Sequence, residues 1–140
     1  MKNLRSVFFA FTALLLATTA HAQQTNVKAS IPFDFVVANQ AYPAGEYTVK
    51  SLSENGIAIR IDNTQESDKG VALSSACHRL QLFDGTKLVF QRLGDNYFLY
   101  QVWTEGSASG REFPMSKAQV QVARNYQKPE LLIVAANISH

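Results

Sequence analysis

Cysteine occurs once in this chain, at position 77, so no disulfide can form within it. The fold must stand on packing, unlike the many small secreted domains that are stapled by bridges. Histidine is nearly as scarce, with only His21, His78 and His140. No C-x-x-C, H-x-H or H-E-x-x-H spacing occurs, and a zinc site needs ligands that this sequence does not supply. No G-x-S-x-G presents a serine nucleophile, and no glycine-rich loop could cradle a phosphate. Gly106-Ser107-Ala108-Ser109-Gly110 has its serines at the second and fourth places of such a motif, where they do not serve it. An excess of one charge is also missing. Beyond residue 22 there are 11 basic and 11 acidic residues. That balance excludes the cationic face that nucleic acid demands, and it argues against attraction to an anionic membrane surface. The basic residues (Lys50, Arg60, Lys69, Arg79, Lys87, Arg92 and Arg111) are spread along the chain without forming a run.

The first 22 residues have a distinct anatomy. Lys2 and Arg5 give a positive start, Val7 to Ala17 is apolar apart from Thr12, and Ala20-His21-Ala22 puts small residues where a signal peptidase reads. The expectation is a cleaved secretory signal, cut between Ala22 and Gln23. The apolar stretch is short of the roughly 20 residues a bilayer crossing needs, so no membrane span is expected after cleavage. Gln23, not the cysteine a lipid anchor needs, stands directly after the cut, and Arg5 stands alone, so there is no twin-arginine signal. The remaining chain, residues 23–140, has the length of one domain and can bury a core without staples. Its expected location is periplasmic or secreted.

Beyond the leader the dominant pattern is period two, which puts one face of a strand on a core and the other towards water. Ile31, Phe33, Phe35 and Val37 alternate in this way. So do Tyr47 and Val49, then Ile57, Ile59 and Ile61, then Val71, Leu73, Ser75 and Cys77, then Leu88 and Phe90. Turn signals separate them: Tyr42-Pro43-Ala44-Gly45, the hairpin dipeptides Asn55-Gly56 and Asp84-Gly85, and Gly94-Asp95-Asn96. The spacing predicts a mainly β fold: one antiparallel β-sandwich or small β-barrel of about seven or eight strands. Tyr97–Trp103 is apolar or aromatic on both faces, as a central strand covered on both sides would be. After Pro114, Ser116 and Gln119 can form a capping box, and Met115, Ala118, Val122 and Tyr126 share one helical face. Ala118, Val120 and Val122 also alternate like a strand. A C-terminal helix over 115–126 is favoured by that cap and by the Lys128-Pro129 stop, and it could cover the second face of 97–103. Leu131–Ile138 closes the chain as an apolar strand.

Candidate chemistry is sparse. Cys77-His78 pairs a thiol with an imidazole, but neighbours on a strand point to opposite faces. On that reading Cys77 shares the core face of Val71 and Leu73, and is inert. Asp62 to Asp68 places oxygens at alternate positions but has serine where a calcium loop needs glycine at its sixth place, and Leu73 where it needs glutamate at its twelfth. The paired acids of a glycosidase are defined in space, and the acids here lie mostly in turns. No catalytic residue, metal or cofactor is assigned. The binding candidates are Tyr97, Tyr100, Trp103 and Arg111, since aromatics with arginine are common anchors of interfaces and sugar sites.

Ile31-Pro32-Phe33-Asp34-Phe35, Pro43-Ala44-Gly45-Glu46-Tyr47-Thr48-Val49, and the stretch from Phe90 to Ser116 containing Tyr97-Phe98-Leu99 and Gly110-Arg111-Glu112 carry a resemblance. In these motifs, across most of the chain beyond the leader, the sequence resembles a group of small exported proteins abundant in soil bacteria of the acidobacterial type. The resemblance implies export and a single β-rich domain, and it carries over no catalytic or binding residue. The resulting expectation is an exported non-catalytic binding or structural protein of the cell envelope or extracellular space. Its partner would be a small apolar ligand held in a barrel interior, or a protein docked on a sheet edge or aromatic face. The alternatives are a small secreted hydrolase of cell-wall or sugar material, with a cleft holding two acids or Cys77 with His78, and a small outer-membrane barrel.

Overall fold

The computed structural model describes residues 26–67, 69–126 and 128–139. The signal sequence over 1–22, its cut at Ala22-Gln23, and His140 lie outside the described residues. Among the described residues, twelve strands and one helix follow in order: β1 (Asn26–Ile31), β2 (Phe35–Val37), β3 (Gln40–Tyr42), β4 (Gly45–Ser51), β5 (Ala58–Asn63), β6 (Lys69–Leu73), β7 (Ser75–His78), β8 (Lys87–Leu93), β9 (Asn96–Trp103), β10 (Ser109–Glu112), α1 (Lys117–Ala123), β11 (Glu130–Ala135) and β12 (Asn137–Ser139). The expected mainly β class with a C-terminal helix is what forms.

The strands make two sheets. One has the order β12-β1-β4-β5-β6, and the other β11-β8-β9-β10-β7, with β2 added parallel to β9 through Val36 and Phe98, and β3 paired to β2. The edges of the two sheets are linked by continuous chain. β6 runs into β7 through Ser74, and β11 into β12 through Ala136, so at each corner the chain leaves one sheet and enters the other. Corners made by strands that change sheet join a sandwich along both sides.

These sheet changes explain why twelve strands stand where the spacing predicted seven or eight. The alternation from Ile31 to Val37 predicts one strand. Pro32 cannot donate to a ladder, and the chain passes there from β1 in one sheet to β2 in the other. The run from Val71 to Cys77 likewise breaks at Ser74, which corrects the expected facing of Cys77. Val71 and Leu73 are 59% and 64% exposed, while Gly70 and Ala72 face inward, and Cys77 is half-buried in the other sheet. Asp84-Gly85 makes no hairpin, because β7 pairs with β10 and β8 with β9 and β11. Asn55-Gly56 does turn the chain between β4 and β5: Gly56 takes φ +69° and its N–H donates to the Ser53 carbonyl at 3.0 Å.

The core between the sheets is aromatic. Phe35 packs against Tyr42, Tyr47 and Phe90 with ring centroids 5.3, 5.0 and 5.5 Å apart, and Phe33 meets Phe90 edge-on at 5.0 Å. Ile31, Ile61 and Leu88 are buried around them. Each fully buried side chain of this size contributes about 1.5–3 kcal/mol, and a well-oriented aromatic pair adds about 0.5–1.5 kcal/mol.

β9 is covered on both faces, as its composition suggested. Its alternation is interrupted by a bulge: Val89 of β8 opposes Gln101 and Phe90 opposes Leu99, leaving Tyr100 as the extra residue. Leu99 and Val102 therefore face the core, while Phe98 and Trp103 are buried on the outer face. The helix lies over that outer face of the second sheet, where the Gln119 amide donates to Gln91 Oε1 at 2.6 Å. It is shorter than 115–126 and turns a different side inward. Gln119 is its buried residue, whereas Met115, Ala118 and Tyr126 are exposed. Ser116 does cap it, accepting from the Gln119 N–H at 3.0 Å, and Asn39 accepts from the Lys117 N–H at 2.9 Å. The Gln119 side chain is drawn to Gln91, so the reciprocal half of a capping box is replaced by a tie to the sheet.

Candidate functional site

The four candidate residues fall in three places. Tyr97 lies at the start of β9 with its ring stacked on Phe33, centroids 4.1 Å apart and planes 15° from parallel, and the Arg92 guanidinium stands 5.7 Å from the ring centre. It borders an open groove of about 410 Å³ between the β2–β3 hairpin and the β8–β9 turn, which also contains Asp34 and Asp95. Asp34 is engaged there, its Oδ1 accepting from the Ala44 N–H at 2.8 Å. One groove therefore holds two acids, one of them committed to the backbone.

Arg111 sits on β10 and reaches the Ser74 corner. Its Nε donates to Ser74 Oγ at 3.0 Å, its Nη2 to the Ser74 carbonyl at 2.8 Å, and its Nη1 to the Asn55 carbonyl at 3.3 Å. Ser74 is itself buried, and its hydroxyl donates to the Gly56 carbonyl, 2.9 Å away. All three nitrogens of the guanidinium group thus have partners within the fold.

Tyr100 and Trp103 come together on the outer face of the second sheet, with two residues that the sequence did not single out. Trp103 Nε1 donates to Gln101 Oε1 at 3.0 Å, and Gln101 Nε2 donates to Glu112 Oε2 at 2.8 Å. Gly110 opposes both Trp103 and Cys77 in the ladder, and the indole lies directly over it. Trp103 is 1% exposed because Phe83 packs against it at 5.5 Å, with the Arg79 guanidinium 4.1 Å over the Phe83 ring and the Lys87 ammonium 4.8 Å from it. Burial pushes the Tyr100 phenol above its ordinary value, and the Glu112 charge and acceptor add to this. Burial also pushes up the Cys77 thiol, again with help from Glu112, against smaller opposing effects of the Gly110 N–H and Arg111. Both groups are held in their protonated forms. A nucleophilic thiol needs the opposite shift.

His78 points away from Cys77 and meets Ser109 Oγ at 3.1 Å through Nδ1, a cross-strand pair in an exposed position. Among the described residues this is the histidine's one side-chain hydrogen bond, so no acid orients the ring. No group of three His, Cys, Asp or Glu side chains gathers among the described residues in a way that could hold a metal. In the acidic loop, Asn63 Oδ1 accepts from the N–H groups of Gln65 and Glu66, and Asp62 pairs with Arg60 at 2.8 Å and Lys50 at 3.2 Å. These oxygens are used within the fold.

Gln101 and Glu112 carried no sequence signal beyond being polar residues beside an aromatic strand. Gln101 shares the face of Trp103 by ordinary alternation, but the bulge that brings Tyr100 to that face as well cannot be read from composition. No family model, no curated protein and no solved structure matches this chain.

Proposed function

We propose that this is an exported, non-catalytic protein of the cell envelope or extracellular space that acts by presenting its outer surfaces to a partner. One observation carries the reading: among the described residues, aromatic side chains pack the space between the sheets. Phe35, Tyr42, Tyr47 and Phe90 interlock where a ligand-carrying barrel would keep a cavity, and the described grooves are open to solvent. Ligand pockets are concave and bury most of their occupant. That favours the partner-binding form of the expectation over a small apolar ligand held inside.

The chemistry of the candidate residues agrees. Arg111 is spent on the Ser74 corner, Trp103 is roofed by Phe83, and the Cys77 and Tyr100 protons are held in place. The outer face of the first sheet carries the Lys50–Asp62–Arg60 cluster, whereas strands facing lipid carry apolar side chains there. Export rests on the Lys2-to-Ala22 pattern, and kinship with the acidobacterial exported proteins would agree with it.

The test is fractionation of the native host, followed by N-terminal sequencing and titration with a fluorescent fatty acid. The reading expects a chain beginning at Gln23, found outside the cytoplasm, that takes up no fatty acid saturably. A full-length chain in the cytosol, or one-to-one uptake of the fatty acid, would overturn it.

A further inference from the structure

We propose that β11 pairs with β11 of a second copy of this chain, antiparallel, about a two-fold axis. β11 hydrogen-bonds to β8 along one side over Glu130–Ala135. At Ala136 the chain turns into β12, which pairs with Asn26–Lys28 of β1. The other side of Glu130–Val134 is therefore left without a paired strand among the described residues. Its sequence is Glu-Leu-Leu-Ile-Val-Ala, and Leu131 and Ile133 are each 57% exposed.

Sheet edges are templates for further strands, and proteins blunt them with lysine, proline, bulges or short polar strands. The other edges are short or guarded in these ways, β3 and β12 having only three residues each. β6 has Lys69, and Tyr42 and Gln40 crowd its Gly70. β7 has four residues and exposes Ser75, Ala76 and His78. β11 has no lysine, no internal proline, and an unshifted register with β8 throughout. Away from its C-terminal end, which lies near β1, this unpaired edge offers free N–H and C=O groups to an extended strand laid along it.

The edge is complementary to itself, which selects a second copy. Directly opposed residues on antiparallel strands share a face, so Leu131 and Ile133 can only oppose residues of their own parity. The axis then passes through Leu132 or Ile133. In the first case Leu131 of each copy lies opposite Ile133 of the other. In the second, Ile133 meets Ile133. The one charge of the strand, Glu130, then opposes Val134 or Ala136 and not its own mate. The two glutamates stand at least four residues apart along the ladder, about 13 Å at the strand rise, which exceeds the screening length at moderate salt. This pairing is independent of the non-catalytic reading, since an enzyme could associate in the same way.

The test is sedimentation velocity across a wide concentration range, together with amide hydrogen exchange, on protein recovered from cells expressing all 140 residues. A dimer is expected, with exchange in 130–135 slowing as it forms. Ile133→Lys should abolish the dimer, while Val71→Lys, at the similarly exposed position on β6, should leave it intact. Exchange on the unaltered chain decides the matter even if a variant fails to fold. A monomer at every concentration overturns the proposal, including one whose β11 is protected only by a different protein. So does a dimer that survives Ile133→Lys, or one in which 130–135 exchange as fast as in the monomer.

Discussion

Arg111 grips Ser74 twice, through the carbonyl at 2.8 Å and the hydroxyl at 3.0 Å, and Ser74 is the residue at which the chain leaves one sheet for the other. An arginine that reads from sequence as an interface anchor thus closes a corner of the fold. Hydrogen bonds involving a charged group contribute about 1.5–3 kcal/mol, so Arg111→Ala should cost about that much overall. Arg111→Lys should recover less than half of the loss, because an ammonium cannot reproduce the planar fork. Urea unfolding with an unchanged denaturant slope measures both. A loss within experimental error for Arg111→Ala would mean that the corner holds without it.

Asp34 and Ala44 connect two of the motifs behind the resemblance. The Asp34 carboxylate of Pro-Phe-Asp-Phe accepts the Ala44 N–H of Pro-Ala-Gly-Glu-Tyr, and Tyr47 donates to the Pro43 carbonyl at 2.6 Å. Asp34→Ala should lower stability by about 1 kcal/mol, as for an exposed hydrogen bond. Asp34→Asn, which keeps an acceptor, should restore most of it. Equal unfolding midpoints for the alanine and asparagine variants would contradict the assignment.

Gly110 lies beneath the Trp103 indole. A Cβ there would stand 2.7 Å from two indole carbons and 2.9 Å from the Val102 carbonyl oxygen. Gly110→Ala should displace the ring and cost about 1–3 kcal/mol, the range for overpacking. The emission of Trp103, the single tryptophan, reports the displacement as a red shift. An unchanged spectrum and midpoint would show that the ring gives way freely.

Two titrations follow from the charge clusters. Burial alone would raise the Asp62 carboxyl, but Arg60 and Lys50 outweigh it and hold the group below its ordinary value of 3.8. A lowered folded value means that the unfolded chain binds protons first. The Asp62 contribution is therefore complete above 3.8 and is lost as pH falls from there through the folded value. Asp62→Asn should flatten that acid limb of the stability curve, and an identical limb in the variant would refute it. The Cys77 thiol shifts the other way, so its alkylation at pH 8 should be several-fold slower than that of a free cysteine. Glu112→Gln, which removes the charge and keeps the amide contact to Gln101, should speed it. If the two proteins react at the same rate, Glu112 does not act on the thiol.

The class of fold was legible because period two and the turn dipeptides are local. Asn55-Gly56 turned the chain where its residues said it would. Sheet membership was not legible. Ile31 and Phe35 belong to different sheets although they continue one alternation, and so do Leu73 and Cys77. A strand that crosses a corner keeps its pattern while its inner face passes from one sheet to the other. The β2–β3 turn was hidden for a different reason: Ala38 and Asn39 both take positive φ, 46° and 72°, without the glycine that advertises such turns. Of the candidate residues, Tyr100 and Trp103 share a face only because of the bulge. Arg111 showed its chemistry, but its partner Ser74, 37 residues away, could not be seen.

A native mass spectrum of the protein recovered from its own host tests the filled interior most directly. The packed core predicts the bare mass of the 23–140 chain or a clean multiple of it. A surplus of a few hundred daltons that is lost on denaturation would contradict it, because a bound small molecule would then occupy space assigned here to Phe35, Tyr47 and Phe90.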